Sequence, residues 1–337
     1  MLSRRQLLRR SLGALGMVGS SGLSAGLLAA CGRSPGPALL SCGGAMPEAW
    51  LSALPKPWEL KQLASPEAII KALEQPSQPP GLLQLSDGWA ASLERRLLQP
   101  LQAPTLLARL AAAAGPVSRL YGSPAAAPVA FPWSFSPWVL ALRNRPELLE
   151  PARESWAVLL DPSLEGKLVL PSSPRLCIEL MGADPQRIRQ LRRQALAFDE
   201  AQGLNLLLHG DARAAVLPLQ RLVPLLRRDP RLQVVLPASG APLSWQLLLR
   251  PASSRTPLPM AWLEALLAPP LLPKLLAQGW VPPLPRQQLE PLLRELPPLL
   301  AALLLPAEAV LQRCWSLPPL PERQRLAWQT LWDAAAP

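Results

Sequence analysis

Cys31 has the most narrowly defined chemistry of any residue in the chain. It follows Leu28-Ala29-Ala30, and small residues running directly into a cysteine suit a peptidase that leaves the thiol at a new N-terminus, ready for acylation. Upstream stands Ser3-Arg4-Arg5-Gln6-Leu7-Leu8, where Arg4 and Arg5, with Arg9 and Arg10, form a basic n-region. The uncharged stretch from Ser11 to Ala30 is kept only mildly apolar by Gly13, Gly16, Gly19, Gly22 and Gly26. Residues 1–30 therefore read as a twin-arginine lipoprotein signal, and 31–37 as a Gly/Pro/Ser tether. The expected location is periplasmic, lipid-anchored to the membrane after export. The bland alternative is an uncleaved anchor, since roughly 20 uncharged residues can span a bilayer; the small residues before Cys31 favour cleavage.

The remaining reactive side chains are sparse. Cys42, Cys177 and Cys314 match no metal or redox spacing, and three thiols cannot all be paired. Buried free thiols fit them better than an inter-segment disulfide. His209 is the single histidine, in Leu206-Leu207-Leu208-His209-Gly210, where a helix end is expected. One histidine leaves His-based zinc sites and Ser-His-Asp hydrolysis hard to build, and neither a glycine-rich phosphate loop nor a nucleophile elbow occurs. No catalytic residue, cofactor or metal is expected, and the chain reads as no enzyme; an exported enzyme would have to use His209 as its base.

Charge limits the partners. The whole chain carries +11, and removing residues 1–30 takes away four Arg and no acid, leaving +7. The Arg residues are scattered instead of alternating with aromatics, so nucleic acid is not an expected partner; an anionic membrane surface accounts for the excess more simply.

These groups must be positioned by many short elements, because the chain has 44 Pro. Strands are expected at Ala38–Cys42, at Trp58–Leu63 and at Gly81–Leu85, with a helix from Ser65-Pro66-Glu67 through Leu73 capped by Ser65. After Ser86-Asp87-Gly88-Trp89 a helix carrying Leu93, Leu97 and Leu98 should follow. Strands are expected at Val129–Trp133, Trp138–Leu142, Gly166–Pro171, Ala214–Leu217, Leu232–Leu236 and Ser244–Arg250, with helices from Glu154, from near Leu176, over 184–200 and from Met260 onward. This alternation predicts an α/β sheet with crossover helices.

Several stretches, in order, carry a family resemblance. Ser155-Trp156-Ala157-Val158-Leu159-Leu160-Asp161-Pro162-Ser163-Leu164-Glu165-Gly166-Lys167-Leu168 resembles the SWADLWDPEYKGKV segment of spermidine/putrescine-type periplasmic binding proteins of ABC transporters. Phe131-Pro132-Trp133, Gly210-Asp211-Ala212-Arg213-Ala214-Ala215-Val216 and the stretch from Trp262 through Trp280-Val281-Pro282-Pro283 are similar to further family segments, so the likeness spans roughly residues 80–290. It implies a two-lobed α/β periplasmic binding protein type II fold with the cleft between lobes joined by crossing strands. The expected division is 38–132 with 250–290 as lobe 1, 133–249 as lobe 2, and 291–337 as C-terminal helices packing across the lobes.

The resemblance also implies a function: a monomeric solute-binding lipoprotein that closes around a small organic solute and delivers it to an ABC transporter permease. Strand-end logic places the ligand-binding candidates at Ser86, Asp87, Trp89, Trp133, Ser172, Ser173, Arg175 and Trp245. Trp133 and Trp245 match aromatic contacts of the family and Ser86 a polar one; hinge or core packing is the plainer role for each Trp, and a turn for Asp87. The sequence departs from the polyamine pattern in having Arg175 and Leu247 where acidic residues usually stand, and a polycation needs such carboxylates. Tyr121 is the only tyrosine, whereas ferric-ion relatives need a pair. The alternative is a degenerate scaffold acting as a membrane-tethered interaction protein.

Overall fold

The computed structural model describes residues 36–74, 80–226 and 228–336; Arg4, Arg5, the candidate lipidation site Cys31 and the tether up to residue 35 lie outside the described residues. Nine strands form one hydrogen-bonded system: β1 (Ala38–Cys42), β2 (Glu59–Leu63), β3 (Leu82–Ser86), β4 (Ala130–Arg143), β5 (Leu168–Leu170), β6 (Ala195–Phe198), β7 (Ala214–Pro218), β8 (Leu232–Val235) and β9 (Leu243–Leu249). Their order is β2-β1-β3-β9-β4-β7-β5-β6, with β8 also on β4. β1 pairs in parallel with β2 and β3, as strands linked by crossover helices do. The first of those helices, Pro66–Glu74, starts as expected: the Ser65 hydroxyl accepts from the Ala68 N–H at 3.3 Å, and Pro66 fills a position whose N–H would have no partner.

β4 organises the molecule. The sequence suggests two strands around Phe131 and Trp138, but the structure has one 14-residue strand, buried along its whole length. Its first half, Ala130–Pro137, pairs antiparallel with β9; its second half pairs with β7 from Trp138 and with β8 from Leu140. Pro132 and Pro137 cannot donate, yet the run survives because the neighbouring groups find other partners. Phe135 N–H donates to Val281 O, Val281 N–H to the Ser134 hydroxyl, and Gln220 N–H to the Ser136 hydroxyl.

Apolar side chains of this strand enter two cores: those of its first half and Val139 and Ala141 enter one, and Trp138, Leu140 and Leu142 enter the other. One gathers Leu39, Leu83, Phe131, Leu247 and a tryptophan cluster; the other gathers Leu140, Trp156, Leu170, Cys177, Ile188 and Val216. In the first, Trp50 and Trp262 stack at 4.2 Å between ring centroids, with planes 10° apart. Each indole N–H donates to the other residue's carbonyl, at 2.9 and 2.8 Å. Two residues 212 positions apart are thus fixed by packing and by paired hydrogen bonds that leave neither indole N–H unmet.

Other departures from the expected elements have local causes. The helix after Asp87 stops at Ala91, and a single 3₁₀ turn covers Arg95–Leu97. The Arg-rich helix covers Pro185–Gln194, capped by Asp184, and then gives way to β6, because 195–198 pairs in parallel with β5. A further helix, Glu200–His209, follows and ends at Gly210 with φ 91, so His209 does sit at a helix end. Near Glu154 a helix closes instead of opening: Leu149–Glu154 ends there, and Ser155 caps the 3₁₀ turn Trp156–Leu160.

The C-terminal segment touches both cores. Leu305 and Leu311 pack against the first. The helix Glu322–Ala334 lies against the second, where the Arg192 guanidinium sits 4.4 Å over the Trp332 ring and Phe198 meets that ring edge-on. Gly240 shows how close the intervening chain runs: at φ 87 it has no Cβ, and one would lie 2.1 Å from Arg313 O. No helix among the described residues is long and apolar enough to cross a membrane. Trp262→Ala should cost about 3–5 kcal/mol of stability and Trp262→Phe about 1–2, measured by urea unfolding, because the second change forfeits mainly one hydrogen bond.

Candidate functional site

β3 and β9 run antiparallel, which places the end of one beside the start of the other and sets Ser86 opposite Gln246. A polar run crosses the sheet here: the Ser41 hydroxyl donates to Gln84 Oε1 at 3.1 Å, and Gln84 Nε2 donates to Gln246 Oε1 at 2.7 Å. Immediately beyond, Asp87 is only 7% exposed. Its Oδ1 accepts from the Trp245 backbone N–H at 3.3 Å and its Oδ2 from the Tyr121 hydroxyl at 3.2 Å. Trp245 Nε1 in turn donates to Ser316 Oγ at 2.9 Å. These bonds form a chain, Tyr121–Asp87–Trp245–Ser316, that ties four separate stretches of the protein together.

Burial pushes the Asp87 carboxyl up to about 6, against the pull of its hydrogen bonds from Trp245 and Tyr121. Burial also raises the Tyr121 phenol, reinforced by the Asp87 charge and opposed by the Ser316 bond and the nearby Arg175 guanidinium. Tyr121 is held there at some conformational expense: Leu120 and Tyr121 have φ 50 and 59, a region bulky residues avoid at a cost of order 1 kcal/mol each.

Arg175 approaches from the short helix Pro174–Leu180, donating to Leu317 O and to Glu179, both at 3.4 Å. Ser172 and Ser173 precede it and are exposed; the Ser172 N–H and hydroxyl both donate to Glu200, at 2.6 and 2.9 Å. The strand-end candidates Ser86, Asp87 and Trp245 are therefore brought together, and Arg175 faces Tyr121 at the same junction. Trp89 is not drawn in, being 37% exposed on the helix Asp87–Ala91.

The sequence offers Trp133 two roles, solute contact and packing. The register of β4 against β9 shifts between Pro132 and Ser134, which leaves Trp133 outside the pairing. Its ring is fully buried, with centroids 5.2 Å from Trp50 and 5.1 Å from Trp280, so here it packs in the core, the plainer of the two. Tyr121 and Ser316 are the members that sequence reasoning missed. They lie 34 positions from Asp87 and 71 from Trp245, and no local pattern marks either one. The sole-tyrosine status of Tyr121 was the available signal.

A cavity of about 430 Å³ abuts the Trp245–Ser316 end of this chain of bonds, lined by these two residues together with Phe135, Leu243, Leu289 and Cys314. Trp245 and Phe135 are in ring contact at 5.5 Å between centroids. Such a volume suits a small organic molecule. Cys42, Cys177 and Cys314 are free thiols; burial pushes Cys177 up to about 12 and also raises Cys314, so these thiols stay neutral and unreactive near neutral pH.

No protein-family model matches the chain, and no curated protein does so by sequence. Solved structures do match by fold. The spermidine/putrescine ABC transporter substrate-binding protein PotD from Streptococcus pneumoniae aligns at a TM-score of 0.69 and 12% identity, over 89% of this chain and 98% of its own. The TpPotD lipoprotein of Treponema pallidum aligns at 0.64 and 14%, over 89% and 98%. A GABA receptor aligns at 0.60 and 13%, over 89% and 97%. The chain thus has the two-lobed fold of periplasmic solute-binding proteins, with lobes joined by crossing strands.

The Asp87 carboxyl gives a pH signature. Its folded value, about 6, lies above the ordinary 3.8, so the folded state holds this proton more tightly. Its stabilising contribution is complete below about pH 4 and is lost as pH rises through about 6, by at most about 3 kcal/mol. Asp87→Asn cannot ionise, so the stability difference, wild type minus variant, should fall over that window in urea melts. A constant difference would show that Asp87 ionises as an ordinary carboxylate.

Proposed function

We propose that this protein is an extracytoplasmic solute-binding lipoprotein that delivers a small organic solute to an ABC importer. The observation that carries the reading is the junction at β4: one strand pairs with β9 along its first half and with β7 and β8 along its second, and the ends of β3 and β9 meet beside it with a cavity against Trp245. Solute proteins of this fold work by closing two lobes around a ligand at such a crossing. In this reading lobe 1 is 38–132 with 250–290, lobe 2 is 133–249, and 291–337 packs across both. On the same reading Trp245 meets the solute at the cavity wall, Ser86 and Arg175 stand at the same junction, and Asp87 holds the site together from behind. Trp89, exposed on its helix, and Ser172 and Ser173 reach a solute only once the lobes close over it.

The structural neighbours include a spermidine/putrescine ABC transporter substrate-binding protein and a GABA receptor, which supports an organic solute and leaves its class open. Arg4 and Arg5 direct export, an acylated Cys31 holds the mature chain at the membrane on the periplasmic side, and the partner there is the permease, approached by a monomer. A second reading, a tethered interaction protein on the same scaffold, draws on one observation: both Asp87 oxygens are occupied by donors from the protein itself.

A mixed panel of polyamines, amino acids, sugars, small anions and neutral aromatics tests the proposal. At least one class should raise Tm and contract the radius of gyration in solution scattering, as a ligand held by the closed form does. If no class produces both effects, the transport reading fails and the interaction reading takes its place. N-terminal mass spectrometry of protein recovered from membranes should find residue 31 first and acylated.

A further inference from the structure

Resting on the solute-binding reading, the chemistry of the cavity wall narrows what the solute can be. The floor is the Trp245–Phe135 pair, and Leu243, Leu284, Leu289 and Leu311 supply much of the rest. Trp245 cannot turn away, because its indole N–H is committed to Ser316 and its backbone N–H to Asp87.

The charged groups of the wall satisfy one another. Arg286 donates from Nε to Glu308 and from Nη1 to Glu290, both at 3.1 Å, and from Nη2 to the Pro306 carbonyl, so all three guanidinium nitrogens are engaged. Glu308 is the one carboxylate on the wall among the described residues. Its second oxygen accepts from Gln312 Nε2 at 3.3 Å. The Cys314 thiol donates to Val310 O, and its burial keeps it protonated. Asp87, behind Trp245, already takes two donors.

An anionic solute would therefore have to compete with two carboxylates for Arg286, and a polycation would find a single wall carboxylate, Glu308, already shared between Arg286 and Gln312. An apolar solute needs nothing of the kind: aromatic and leucine surface is already there, and the volume of about 430 Å³ lies within the range of small-molecule sites. We infer that the solute is an uncharged, largely apolar molecule carrying a ring, seated on Trp245 and Phe135, and that polyamines do not bind in this cavity.

Three probes that share one ring and differ in charge separate the possibilities: benzyl alcohol, benzylamine and benzoate, with spermidine as the fourth. Calorimetric titration of the mature protein should give binding by benzyl alcohol at least roughly ten-fold tighter than by either charged ring, the expected burden of burying an unpaired charge, and no heat with spermidine. Ala113 lies exposed at the edge of the cavity, so Ala113→Trp should fill it and abolish the benzyl alcohol signal while leaving the Tm of the free protein unchanged.

Tighter binding by benzylamine, benzoate or spermidine overturns the uncharged class. Solute binding itself survives that result if the charged probe also closes the protein in scattering. Benzyl alcohol binding that Ala113→Trp leaves intact overturns the placement in this cavity. Absence of heat from all four probes overturns the class, and the scattering panel then decides separately whether the protein takes any solute.

Discussion

The hydrogen-bond chain Tyr121–Asp87–Trp245–Ser316 is the constraint on which the arrangement of the site depends. Each member comes from a different part of the protein: the end of β3, the turn after the helix Ala114–Ser118, the segment before the C-terminal helix, and the start of β9. Asp87 supplies the acceptors at its centre, the Tyr121 hydroxyl and the Trp245 backbone N–H supply the donors, and the Trp245 indole N–H passes on to the Ser316 hydroxyl. Within a buried setting that balance matters more than the strength of any single bond, since a lone unsatisfied member would carry the full desolvation penalty. The left-handed backbone at Leu120 and Tyr121 is tolerated because it delivers a hydroxyl to Asp87 Oδ2.

This chain of bonds can hold its geometry because its supports are rigid on both sides. β9 is clamped between β3 and the first half of β4, so Trp245 is fixed at its backbone before its side chain makes any contact. In the same core the Trp50–Trp262 stack joins the segment before β2 to the helix Met260–Ala265. On the second half of β4 the two faces divide, with Val139 and Ala141 in the first core and Trp138, Leu140 and Leu142 in the other, and the C-terminal segment returns to that second core through Trp332. Ser316 and Leu317 lie on the path between the two, bonded to Trp245 and Arg175 respectively. Relative movement of the cores would be felt at those two residues.

Much of the first half of the fold was legible in the sequence because its signals are local. Ser65-Pro66 marks a helix start, and the apolar runs at 38–42 and 82–86 mark strands, whatever the rest of the chain does. Failures came where pairing overrode propensity. Residues 195–198 continue an Arg-rich helical pattern and still form a strand, because β5 offers an edge. Separate strands were expected at Val129–Trp133 and Trp138–Leu142, and β4 runs through both. The site divided in the same way: strand-end logic pointed to Ser86, Asp87 and Trp245, which the structure brings to one junction, since β-strand termini can be read from periodicity. Trp133, offered on the same logic, packs in the core, because a one-residue register shift turns a side chain from one environment to another. Tyr121 and Ser316 are joined to the site only by contacts across 34 and 71 positions, and a single sequence holds no record of such contacts.

The basic charge of the chain speaks to its surface and not to its site. Arg187, Arg189 and Arg193 stand exposed on the helix Pro185–Gln194, whereas the arginine beside the cavity, Arg286, is wholly engaged by protein acceptors. Exposed charge is screened within about a Debye length and favours an anionic surface over any particular small molecule. Inside, the same excess would be costly, and the structure removes it by pairing Arg286 with Glu290 and Glu308 and by burying leucine and aromatic rings around Trp245. The acids that a polycation would need are missing from the sequence at Ser172-Ser173-Pro174-Arg175-Leu176 and at Leu247. In the proposed reading such acids are not needed, because recognition falls to the Trp245 and Phe135 rings, with Trp245 held still by its own hydrogen bonds.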